Sequence, residues 1–153
     1  MLSRKWWIII AGVVIIGLGL GLGLGLGLRG GGTVDLSSPT ATAQSFLDAE
    51  GQKDADRMAD CCHFPLTYQH LPFDDRASFI VAMNWGFAVI KSIDISDLNV
   101  NVTDQNDTSA TVEASYHLRE VLGDGTIDES DLTQTFEVQK TGDNWHIVST
   151  WAV

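Results

Sequence analysis

The sequence predicts an α+β domain preceded by one transmembrane helix. Three observations carry this. An apolar block without charge runs from Trp6 to Leu28. Beyond it, apolar residues first recur at helical spacing, up to about residue 90. After that they alternate with period two, in segments separated by Gly-containing turns. Helices segregated ahead of strands make a mostly antiparallel sheet with N-terminal helices packed on it, not a parallel βαβ fold.

The apolar block ends in six Gly-Leu pairs, Gly17 to Leu28. Glycine costs an aqueous helix up to ~1 kcal/mol, whereas each unpaired backbone group of a lone strand in lipid costs several kcal/mol. The run is therefore expected as a helix. Its 23 residues span about 34 Å at ~1.5 Å each, against a hydrocarbon core of ~30 Å. Gly17, Gly21 and Gly25 then form one G-x-x-x-G stripe, the spacing that lets two helices approach closely. The block exceeds a secretory h-region of about 7–15 residues, so it reads as an uncleaved anchor. Arg4 and Lys5 precede it and only Arg29 follows, which places the N-terminus in the cytoplasm and the C-terminal domain outside it. The expected division is 1–5 cytoplasmic, 6–28 transmembrane, 29–39 flexible linker and 40–153 folded domain.

The chain beyond residue 30 carries all 20 acidic residues and only six basic ones, a formal charge of −14. Such a surface repels nucleic acid, which is excluded as a partner.

Thr40 or Thr42 is expected to cap a first helix carrying Ala43, Phe46, Leu47 and Glu50, with Gly51 interrupting it. The stretch from Asp54 continues helically through Cys62, and Pro65 stops it. Pro65–Phe73 reads as extended. Asp74 or Asp75 starts a third helix whose face holds Phe79, Ile80, Met83, Phe87 and Ile90. Four strands follow. Leu98, Val100 and Val102 alternate in the first; Ala110, Val112, Ala114, Tyr116 and Leu118 share one face of the second. Gly123–Gly125 and Thr141–Asn144 are the hairpin turns.

This order resembles the nuclear transport factor 2-like superfamily, which includes the SnoaL-like proteins. Three stretches carry the resemblance. ATAQSFLDAEGQKDADRMADCCHFP looks like the opening helix pair, DDRASFIVAMNWGF like the third helix, and EVQKTGDNWHIVST like the final hairpin. The resemblance implies a cone in which a curved sheet wraps a helix and leaves a pocket. Its members include isomerases, dehydratases, small-ligand binders and assembly domains, so the fold does not decide function.

The resemblance places the strand after the second helix at the pocket rim. Tyr68 and His70, with Asp60 just upstream, are therefore the catalytic candidates for acid–base work, if burial moves a pKa toward neutrality. Tyr68, His70, Trp85, Tyr116, Trp145 and Trp151 are the candidate pocket lining, against a plain core role. Adjacent Cys61 and Cys62 suit buried thiols better than a disulfide across one helical step. Cys61, Cys62, His63 and His70 are too tightly spaced for ordinary zinc geometry. GDGTIDESD imitates a calcium loop but sits between strands. Asn101 and Asn106 each begin a glycosylation triplet. No cofactor and no metal are expected. The expected role is an extracytoplasmic binding or assembly module, anchored through Trp6–Leu28, dimerising through its sheet and meeting other envelope proteins. The alternative is an anchored enzyme of isomerase or dehydratase type.

Overall fold

The computed structural model describes residues 33–153. The expected anchor, its Gly17, Gly21 and Gly25 stripe and the start of the linker lie outside the described residues. Among those described, no helix is long and apolar enough to cross a membrane.

Helix α1 spans Pro39–Gly51. Its cap is Ser38, whose hydroxyl accepts from the Ala41 N–H at 3.1 Å. The expected caps Thr40 and Thr42 both fall inside the helix. Pro39 explains the earlier start: at the first helical position its fixed φ suits the helix and its missing N–H costs nothing. The buried Thr42 hydroxyl instead lies 3.0 Å from both the Ser38 and the Trp145 carbonyls. Helix α2, Ala55–Asp60, is capped by Asp54. Arg57 clamps the two helices, reaching Asp48 and Gln52, each at 3.0 Å.

Cys61 ends α2, and Cys62 already opens strand β1, Cys62–Tyr68. Pro65 is thus not the helix stop that its sequence position suggests. It lies inside β1, between the residues Cys62 and Thr67 that pair with β6, where the register shifts and no ladder bond is needed from its nitrogen. A turn leads to β2, Leu71–Phe73. Helix α3, Arg76–Ala88, starts at Asp75, which accepts from the Ser78 N–H at 2.8 Å. It buries Phe79, Ala82, Met83, Gly86 and Phe87, while Ile80 is half-buried. Ile90 belongs to the next strand.

Strands β3 (Ile90–Gln105), β4 (Ser109–Leu122), β5 (Ile127–Thr141) and β6 (Asn144–Ala152) form a meander. The six-stranded sheet has the order β2-β1-β6-β5-β4-β3, antiparallel except where β1 meets β6. Three register shifts interrupt the β3–β4 ladder, and such bulges bend a sheet. Gly125 and Gly142 sit at φ 87° and 63° in the two expected turns, a region that glycine enters without steric cost. The helices cover the inner face. Phe46 and Leu47 of α1, Met58 of α2, Leu66 of β1 and Phe79 of α3 meet Val112, Phe136, Val138 and Ile147 in one core.

Candidate functional site

Side chains alternate along β4, so Ala110, Val112, Ala114, Tyr116 and Leu118 all point inward and are buried. The next inward position is Glu120, only 7% exposed. Its register partners are Ile93 on β3 and Asp128 on β5. A second carboxyl arrives from above. Glu50 lies one helical turn beyond Phe46 on α1, and the neighbouring Gly51 sits over β3, where a Cβ would stand 3.9 Å from the Ile95 methyl. Glu50 is partly covered as a residue, but its Oε2 is enclosed and has no hydrogen-bond partner.

Two tyrosines complete the cluster. The Tyr68 ring packs against Phe46 at 6.3 Å and Phe79 at 5.6 Å. The Tyr116 hydroxyl donates to Gln134 Oε1 at 2.7 Å; Gln134 Nε2 donates to Thr150 Oγ1, and Thr150 donates to the Thr135 carbonyl, both at 2.8 Å. This chain fixes the Gln134 amide and holds the phenol in place.

Burial dominates the electrostatics. It pushes Glu50 up to about 8, helped by the nearby Glu120 charge. Glu120 rises to about 7, through burial and then the charge of Asp128. Tyr68 rises well above the usual phenol range through burial, then Glu50, Tyr116 and Glu120. Tyr116 does so through burial, then Glu50 and Glu120. At neutral pH the cluster therefore offers a protonated acid, a carboxyl poised between its two forms, and two neutral hydroxyls. Such a set can give and take protons.

Of the residues singled out in the sequence, Tyr68 and Tyr116 come together here. Asp60 does not. Its half-exposed carboxylate pairs with Arg76 at 2.8 Å on the outer surface of α2 and α3. His70 occupies the β1–β2 turn at φ 65°, exposed, with its ring stacked on Trp151 at 6.2 Å. Trp145 is a core residue beside Thr42. Trp85 lines a separate open groove of about 700 Å³ with Phe73, Ser78 and Val81. Glu50 and Glu120 are absent from the sequence candidates, though each extends a pattern read there: the Phe46 face of α1 and the inward row of β4.

Cys61 and Cys62 are free and buried. Burial, then the Asp60 charge, raises Cys61 to about 12, and Cys62 donates to the Met58 carbonyl at 3.2 Å. Among the described residues, no group of three His, Cys, Asp or Glu could hold a metal. Asp124 of the calcium-like stretch instead closes the hairpin, accepting from the Thr126 N–H at 2.9 Å. Asn101 is exposed on β3, and Asn106 caps the β3–β4 turn by accepting from the Thr108 and Ser109 amides.

No family model and no curated protein matches this sequence. Solved structures do match it. A ketosteroid isomerase-like protein from Erwinia carotovora atroseptica superposes with a TM-score of 0.62 at 13% identity, covering 73% of this chain and 89% of that one. A nuclear transport factor 2-like superfamily protein from Salmonella enterica gives 0.58 at 13%, covering 74% and 86%. The fold is the nuclear transport factor 2-like fold. A third structure with it, an NTF2-like protein with a cystatin-like fold from Novosphingobium aromaticivorans, gives 0.56 at 11%, covering 74% and 77%. At these identities the likeness concerns architecture alone. It includes the mostly antiparallel curved sheet on which Glu120 and Tyr116 stand.

Proposed function

We propose that the protein binds a small molecule between α1 and the sheet and moves a proton on it, as an isomerase or dehydratase does. The observation that carries this is Glu120. It is a 7% exposed carboxyl with a pKa raised to about 7, beside the tyrosine hydroxyls. Glu120 takes or returns the proton; Tyr68 donates a hydrogen bond to the oxygen on which charge develops, while Tyr116, its proton committed to Gln134, shapes the site. The ketosteroid isomerase-like neighbour supports the reading by analogy of fold only.

The test is a carbon-13 NMR titration of Glu120 in the intact chain, with thermal-shift screening of small apolar alcohols and ketones on wild type and Glu120→Gln. A midpoint near 7, with a ligand response weakened in the variant, supports the proposal. A midpoint near the ordinary 4.5 with no responding ligand ends it.

We further propose that Trp6–Leu28 anchors the domain outside the cytoplasm, where it acts as a binding or assembly module. The uncharged run and its flanking charges support the anchor. Extraction from membranes by alkaline carbonate would refute it. Pairing of two copies through the sheet and contacts with other envelope proteins belong to the same reading. Cross-linking in membranes that yields monomers alone would remove the pairing.

A further inference from the structure

Among the described residues the interior cluster has no counter-charge in an ion pair with it. Among the described residues the carboxylates in ion pairs are Asp48, Asp56, Asp60, Glu129 and Asp131; Glu50, Glu120 and Asp128 take part in none. The nearby cations are engaged elsewhere. The Lys53 ammonium reaches the Ile90 and Lys91 carbonyls at 2.8 and 3.3 Å, Arg57 holds Asp48, and Arg119 holds Glu129. Of five enclosed polar side-chain atoms without a partner among the described residues, two belong to this cluster and its strand. One is Glu50 Oε2. The other is the Ser130 Oγ, on the inward row of β5 between Asp128 and Leu132, also buried without a partner. Buried polar atoms are rarely left unpaired, and each costs about 1–3 kcal/mol when they are.

We propose that the ligand of this site is an organic cation, a protonated amine or quaternary ammonium on an apolar body, held between Glu50, Glu120 and the rings of Tyr68 and Tyr116. This rests on the acid–base reading above and names its ligand class. Three classes compete. An anion adds another like charge to three carboxyls in a poorly screened interior. A neutral molecule leaves Glu50 and Glu120 holding their protons and gains nothing from the carboxyls' charge. A cation attracts both glutamates and gains from the negative faces of the tyrosine rings. The groups facing Glu50 are Tyr68 from β1 and Tyr116 and Glu120 from β4, with Asp128 of β5 beside Glu120 and Lys53 beyond the end of α1. All the facing acids are neutral or negative, so the ligand's charge takes the place of a proton. Binding breaks the carboxyl O–H and passes its proton to solvent; no other covalent bond changes.

Isothermal titration calorimetry on the full chain in non-ionic detergent tests this with three probes: benzyltrimethylammonium, benzyl alcohol and benzoate. The cation is expected to bind at pH 8 and at least about tenfold more weakly at pH 5.5. Near pH 7, buffers of different ionisation heat should report about one proton released per ligand. Glu50→Gln should weaken the cation about tenfold or more and abolish the proton release. If that variant does not fold, proton release by wild type still decides. Benzyl alcohol binding without the cation, or cation binding without pH dependence and proton release, overturns the inference and leaves the acid–base reading standing. Binding by none of the three overturns it too. Joined to a Glu120 midpoint near 4.5, that outcome removes both.

Discussion

Glu50 makes stability depend on pH in a direction opposite to most carboxylates. Its folded pKa is about 8, and its ordinary value is 4.5. Between those values the folded state holds a proton that the unfolded chain has lost, so stability falls as pH rises and the loss is complete above about 8. Glu120 adds a smaller loss between 4.5 and about 7. At ~1.4 kcal/mol per unit, the two together should remove several kcal/mol between pH 5 and 8. Calorimetric melting should show the Tm falling across this range in wild type and much less in Glu50→Gln; a flat wild-type profile would contradict it. At the same scale, Tyr116→Phe leaves Gln134 Oε1 without its donor in the core. A loss of about 1–3 kcal/mol by urea denaturation is expected. Sequence proximity groups Asp60, Tyr68 and His70, but it says nothing about where their side chains go. Asp60 ends an exposed helix face, and the β1–β2 turn, with Gln69 and His70 both at positive φ, carries the His70 ring to Trp151.

At the scale of elements, α1 and α3 hold the cluster in place. The start of α1 depends on the Ser38 hydroxyl. Ser38→Ala should cost about 1 kcal/mol, whereas Thr40→Ala, inside the helix, should cost clearly less. Chemical denaturation of both variants separates the two caps. Phe79 of α3 is fully buried and touches the rings of Phe64, Tyr68 and Phe73. Phe79→Ala should cost about 3–5 kcal/mol and loosen Tyr68, visible as a lower tyrosine near-ultraviolet dichroism. Strand β3 shows where pattern reading stops short. It begins at Ile90, well before the alternation at Leu98, because its three register shifts break the period that identifies a strand. Its Leu98 and Val102 remain 41% and 37% exposed.

Across the whole molecule, charge and burial set behaviour that no single residue controls. The chain beyond residue 30, with a formal charge of −14, repels itself, so raising salt from about 10 to 200 mM should raise its Tm by screening. Cys61 and Cys62 are the chain's two thiols, and both are buried with raised pKa values. Ellman's reagent should label neither on the native protein over minutes and both after denaturation. Rapid native labelling would mean that the α2–β1 junction opens locally.

The sequence by itself determined the α+β class, the order of three helices before a meander, the inward row of β4 and the two hairpin turns. These follow from local periodicity and from glycine at positive φ, which act within one element. It also carried the case for an anchor in Trp6–Leu28, which lies outside the described residues. Tertiary structure decided the site. Glu50 and Glu120 stand 70 positions apart, and each looks like an ordinary surface acid because composition favours exposure for carboxylates. Only the packing of α1 onto β3 and β4 brings both into one interior with Tyr68 and Tyr116. Desolvation there raises the carboxyls toward neutrality, and desolvation belongs to a three-dimensional environment rather than to a sequence pattern.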